Sequence, residues 1–160
     1  MTVTLALLAY SPRRTAPAVK VVATVAFVAG GLLVVWSGYI HFHLWQSVGY
    51  RRIATIGTLF LLQSAAGVVL GLLIIAVHRV WTAILGVGFA AATLVGYIIT
   101  VAHGLFGFQE STQAPFATEA LIVEIAIIVV LIIAGALCFA RSAPSTQSGI
   151  TPPAGSSVGA

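Results

Sequence analysis

The stretch PFATEALIVEIAIIVVLIIAGALCFA, Pro115–Ala140, carries no charge except Glu119 and Glu124. About 20 apolar residues suffice to cross a hydrocarbon core of about 30 Å, so this run predicts a transmembrane helix. Glu124 lies about nine residues into it, a depth at which an ionisable group is costly unless something uses or neutralises it. It is the strongest functional pointer in the chain.

The rest of the sequence has the same character. Of 160 residues, 60% are hydrophobic and 6% charged, and the mean hydropathy is +1.13. A soluble domain with so few charges has almost nothing to cover its surface, so the composition predicts an integral membrane protein whose first partner is the lipid bilayer. The net charge of +4 does not argue for nucleic acid, because the basic residues are few and sit at the ends of apolar runs, where they act as topology anchors. Cys138 is the only cysteine, which excludes an intramolecular disulfide and a multi-cysteine metal site.

Four spans are expected, from about Val21 to Gln46, Ile53 to His78, Val80 to His103 and Phe116 to Ala140. None contains an internal proline; Pro17 precedes the first and Pro115 suits the opening turn of the fourth. The breaks at Ser47–Arg52, His78–Arg79 and Gly104–Ala114 are short, so sequential antiparallel neighbours and an all-α, up-down transmembrane four-helix bundle are expected. Arg13, Arg14, Lys20, Arg79 and Arg141 fall on one side, against Arg51 and Arg52 on the other. This bias predicts that both termini are cytoplasmic, and the expected location is the plasma membrane. Residues 1–19 then form a retained cytoplasmic segment, since Arg13 and Arg14 follow the apolar start instead of preceding it as in a secretory signal. Residues 20–141 form the membrane domain, and residues 142–160, rich in Ser, Pro, Gly, Thr and Ala, a disordered cytoplasmic tail.

Small residues allow helices to approach closely in lipid, and the second span offers Ser64, Ala65, Ala66, Gly67 and Gly71. This pattern suits a tight bundle, a homodimer or contact with a larger complex.

Polar groups fall into two tiers by depth. Within a turn or two of the outer interface lie His43, His103, Glu119, Arg51 and Arg52, while His41, Gln63 and Glu124 lie roughly 8 to 15 Å deep at the helical rise of about 1.5 Å per residue. Three polar groups at matched depth on three helices raise the odds of a site, and an outward-facing polar site built on His41, His43, His103, Glu119 and Glu124 is expected, with Gln63, Arg51 and Arg52 as further ligand or proton residues. At about 100° per residue, His41 and His43 point about 160° apart and Glu119 and Glu124 about 140° apart, so one of each pair at most faces the bundle interior. Blander readings stand beside each. Glu124 is a helix-tying carboxyl bonded to Gln63 or a histidine, Glu119 and His43 are interfacial, His78 is a corner residue beside Arg79, and Arg51 and Arg52 pair with Glu119 or Glu110 or hold a lipid phosphate.

The run Gly38-Tyr39-Ile40-His41-Phe42-His43-Leu44-Trp45, followed by Gly49-Tyr50-Arg51-Arg52-Ile53-Ala54-Thr55 and on to Gln63, resembles small four-span integral membrane proteins of actinobacteria. Gly104-Leu105-Phe106-Gly107-Phe108-Gln109-Glu110 is loosely similar to theirs. The resemblance covers about a third of the chain and implies that His41, His43, Arg51 and Gln63 belong to one recurring pattern. It implies a class and no activity. Where that pattern often has proline before Thr55, this chain has Ala54.

Three functions are compatible with these residues. One is an accessory or assembly subunit of a membrane complex, favoured because nothing resembles a nucleophile with its base or a phosphate loop. Another is a redox protein holding haem or a transition metal, with His43 and His103 as axial pair and Glu119 or Glu124 nearby. The third is a proton-coupled carrier of small solutes, in which Glu124 changes protonation with His41 or Gln63 as partner.

Overall fold

The computed structural model describes residues 17–140. Four helices form an all-α bundle: α1 Pro17–His43, α2 Ile56–Val77, α3 Val80–Ala102 and α4 Ala117–Ala140. All four are long and apolar enough to cross a bilayer, and the chain is a membrane protein. Arg13, Arg14, Arg141 and the expected tail lie outside the described residues.

Several boundaries differ from the sequence reading. Pro17 is the first helical residue of α1, where its missing N–H costs nothing. The first span does not stop near Gln46: a π turn, Leu44–Val48, prolongs it to Gly49, which ends it at φ 100°. A single 3-10 turn, Tyr50–Arg52, follows. The second span starts three residues later than expected, because Thr55 adopts φ 66° and ψ −54° and the Ile56 N–H bonds the Ala54 carbonyl at 2.7 Å. That is a classical γ-turn, a strained conformation for a β-branched residue. Pro115 lies two residues ahead of α4 and not within its first turn, since Phe116 at φ 62° breaks the helical path between them.

The α2–α3 corner is as short as expected. His78 takes the left-handed region at φ 47° and Arg79 is extended. The Thr82 hydroxyl accepts the Arg79 N–H at 3.3 Å and donates to the Arg79 carbonyl at 2.7 Å, closing the start of α3. At the opposite end, Leu105 and Phe108 pair as a miniature hairpin with bonds of 2.7 and 3.0 Å. Phe106 and Gly107 between them both have positive φ, as a tight two-residue hairpin demands.

Phe27 and Val34 of α1, Ile74 of α2, Ala90 of α3 and Ile127 and Leu131 of α4 fill the core. The small residues of the second span are used inside the chain. A Cβ on Gly67 would stand 2.9 Å from the Gly38 Cα, and one on Gly31 would stand 2.7 Å from the Gly71 carbonyl oxygen, so α1 and α2 touch backbone to backbone. The α1–α4 and α3–α4 contacts are also extensive, whereas α2 and α3 meet over a much shorter stretch. Three sides of the bundle are closed and the fourth is loose.

Candidate functional site

The loose side coincides with a cavity of about 410 Å³ in the half of the bundle nearest the long loops. His41, Phe60, Gln63, Thr93, Tyr97 and Glu124 are among the residues that line it, drawn from all four helices. At its loop end stand Tyr50, Phe108, Glu110 and Phe116. Between α2 and α3 the wall is thin, for the lining residues Leu59, Leu62, Ala66 and Ala92 are exposed there.

Glu124 is the most buried charged side chain, with 1% of its surface exposed. Its Oε1 accepts a hydrogen bond of 2.5 Å from the Ser37 hydroxyl, while its Oε2 is buried and has no partner. A buried carboxyl oxygen without a donor or acceptor is the kind of orphan that calls for an explanation. His41, one helical turn after Ser37, places Nδ1 2.8 Å from the Ser37 carbonyl oxygen. A carbonyl only accepts, so Nδ1 carries the proton and Nε2 of the neutral ring is an acceptor. The imidazole packs against Phe60 at 5.2 Å, and Phe60 stacks on Tyr50 at 4.7 Å.

Gln63 donates its amide to the Thr93 hydroxyl, whose own proton goes to the Phe89 carbonyl. That bond ties α2 to α3 across the loose side. Nearer the loops, Tyr50 donates to Glu110 at 2.6 Å. Burial of the Tyr50 ring, reinforced by the bond to Glu110 and its charge, pushes the phenol well above its ordinary range. Among the described residues no lysine or arginine lines the cavity, and its acidic lining residues are Glu124 and Glu110.

His41, Gln63 and Glu124, the deep tier, are therefore brought to one cavity. The upper tier is not. Of each angular pair, one member turns inward: Glu119 lies half-buried on the outer face of the bundle, where it accepts a 3.2 Å bond from the Trp36 indole, and His43 packs against Tyr39 and edge-on to Phe116. His103 is exposed at the end of α3, and neither it nor His43 lines the cavity. Among the described residues no three His, Cys, Asp or Glu side chains gather as a metal site. Arg51 and Arg52 are exposed and form no ion pair among the described residues; Glu110 and Glu119 are engaged by Tyr50 and Trp36 instead. The 3-10 turn explains this, as it carries the guanidinium groups away from the bundle while burying Tyr50.

Sequence reasoning gave Glu124 the wrong partner. Ser37 holds it, and Gln63 is committed to Thr93. The available signal was the four-residue spacing that puts Ser37 and His41 on one face of α1. Comparisons with protein-family models, with curated proteins and with solved structures return no match.

Proposed function

We propose that this protein binds a small, largely apolar molecule in the loop-end half of its bundle, holding the molecule's polar end at Glu124. The carrying observation is the buried Glu124 carboxyl, anchored through one oxygen and unpartnered at the other, at a cavity whose size falls within the ordinary range for ligand pockets. Aromatic and aliphatic walls with a few convergent polar groups have the usual make-up of such a site.

A hydrophobic carbodiimide, which modifies carboxyls in apolar surroundings, tests this on the full chain in lipid nanodiscs. Glu124 should be modified, and filling the cavity by Ala120→Phe or Ala92→Phe should slow the reaction. Failure to modify Glu124, or modification unaffected by both fillings, refutes the reading.

A role as accessory or assembly subunit of a larger membrane complex is a second reading with its own support. On α3, a Cβ atom added at exposed Gly88 meets nothing within 4 Å, and exposed Leu85, Val95 and Ile98 accompany it. Such a surface suits a helix of another chain. Cross-linking from α3 in native membranes, followed by identification of the captured chain, separates a partner from lipid alone.

We further propose a plasma-membrane location with both termini in the cytoplasm, the orientation resting on the Lys and Arg bias. A Ser111→Cys variant should react with a membrane-impermeant maleimide on intact cells, and a protected thiol would reverse the orientation.

A further inference from the structure

We infer that the molecule held at Glu124 is a lipophilic amine, bound as its ammonium ion; this rests on the ligand-binding reading above and names its substrate class. Donors and acceptors around Glu124 point to this class. Glu124 Oε2 has no partner. The one proton on the neutral His41 ring is spent on the Ser37 carbonyl, which leaves Nε2 as an acceptor. The Gln63 amide gives one of its two N–H protons to Thr93, which leaves one N–H and its oxygen. All three residues line one cavity. Once the Glu124 proton has passed to the ligand, these three residues offer three acceptors, Glu124 Oε2, His41 Nε2 and the Gln63 oxygen, against one remaining Gln63 N–H, and a primary ammonium brings three donors and no acceptor.

Charge points the same way. Among the described residues the cavity is lined by Glu124 and Glu110 and by no lysine or arginine, while Arg51 and Arg52 are exposed outside it. A carboxylate or phosphate head would find two carboxyl groups and no cation to neutralise it. A cation meets a carboxyl, and the rings of Phe60, Tyr97 and Phe108 add aromatic faces that attract cations and shelter an apolar tail.

Access is consistent with this chemistry. An amine crosses lipid as the free base. On reaching the site its nitrogen lone pair takes the proton of the Glu124 carboxyl, so an N–H bond forms as the O–H bond breaks. The product is an ammonium–carboxylate pair, and no net charge has been carried into the bilayer.

The test measures saturable retention of radiolabelled dodecylamine by the full chain in nanodiscs of zwitterionic lipid, with unlabelled dodecanol and dodecanoic acid as competitors at equal mole fraction. Dodecylamine should bind saturably, and the two competitors should be at least about tenfold weaker, the ratio that about 1.4 kcal/mol provides. Glu124→Gln should remove most of the retention while helical content is unchanged. Should that variant misfold, the competition on the unmodified chain still decides. Dodecanol competing as well as dodecylamine, or dodecanoic acid competing better, overturns the inference. Absence of saturable amine binding while the carbodiimide still reaches Glu124 also overturns it and leaves the ligand-binding reading standing. A carbodiimide that never reaches Glu124 overturns both.

Discussion

Gly67→Ala should destabilise the bundle far more than its single methyl suggests. The new Cβ would lie 2.9 Å from the Gly38 Cα and 3.1 Å from both the Gly38 nitrogen and the Val34 carbonyl oxygen. Every one of these atoms is backbone, so no rotamer change relieves the contact. Ordinary contact begins at about 3.4 Å, so α1 and α2 must separate locally by about 0.5 Å. Roughly 20 atom pairs at about 0.1–0.2 kcal/mol each hold such a crossing with about 2–4 kcal/mol, and a gap of that size forfeits about a quarter, or about 0.5–1 kcal/mol. Residual strain brings the total to about 1–2 kcal/mol, within the range of about 1–3 kcal/mol found for overpacked cores. The folded-to-unfolded ratio should fall about 5- to 30-fold. Reversible unfolding in mixed micelles, with Gly88→Ala as the control, measures this directly. A Cβ at Gly88 meets nothing within 4 Å, so that variant should be neutral or slightly stabilised. Equal midpoints for the two variants would refute the backbone-to-backbone packing of α1 on α2.

Other perturbations address the cavity. Ser37→Ala removes the only donor to Glu124 among the described residues and should cost about 1–3 kcal/mol, the penalty for stranding a buried polar group; an unchanged unfolding midpoint would sink that assignment. A double-mutant cycle with Gln63→Leu and Thr93→Val should return a coupling of about 0.6 kcal/mol, typical of interhelical hydrogen bonds in membranes, and zero coupling would deny the tie across the loose side. Because the Tyr50 phenol is held above its ordinary value, the stability it contributes is fully present below about pH 10 and is lost only as pH rises through the higher folded value. In an absorbance titration, Tyr50→Phe should therefore show the same tyrosinate rise as the unmodified chain at about pH 10–11; a smaller rise in the variant would contradict the burial of that hydroxyl.

Much of the fold was legible because membrane solvation is a blunt constraint. The apolar runs had to be helices, the two-residue break at His78–Arg79 had to be a corner, and helical angles required one of Glu119 and Glu124, and one of His41 and His43, to turn away. What stayed hidden depends on pairs distant in sequence. Ser37 and Glu124 are 87 positions apart, and only its spacing from His41 marks that serine among the many small residues of α1. The Tyr50–Glu110 bond was masked by Arg51 and Arg52, whose charge made them the obvious partners for the glutamates. Their placement follows from the π and 3-10 turns between Leu44 and Arg52, a backbone route that hydrophobic periodicity does not encode. The face carrying Gly67 and Gly71 was visible as a close-packing surface, yet its partner was not, because α1 and a second copy would satisfy it by the same physics.

The short meeting of α2 and α3 decides which phase the cavity equilibrates with. A molecule arriving between those helices comes from the surrounding leaflet, so occupancy follows its mole fraction in lipid and not its concentration in water. Each added methylene enriches an amphiphile in the leaflet about fourfold, from about 0.8 kcal/mol of transfer free energy. Apparent affinity measured in water would then climb steeply along a homologous series with no change in any protein contact. Expressed per lipid, the same series would be flat until the tail outgrows the space between His41 and the loops, and that break in slope would give the length of the cavity.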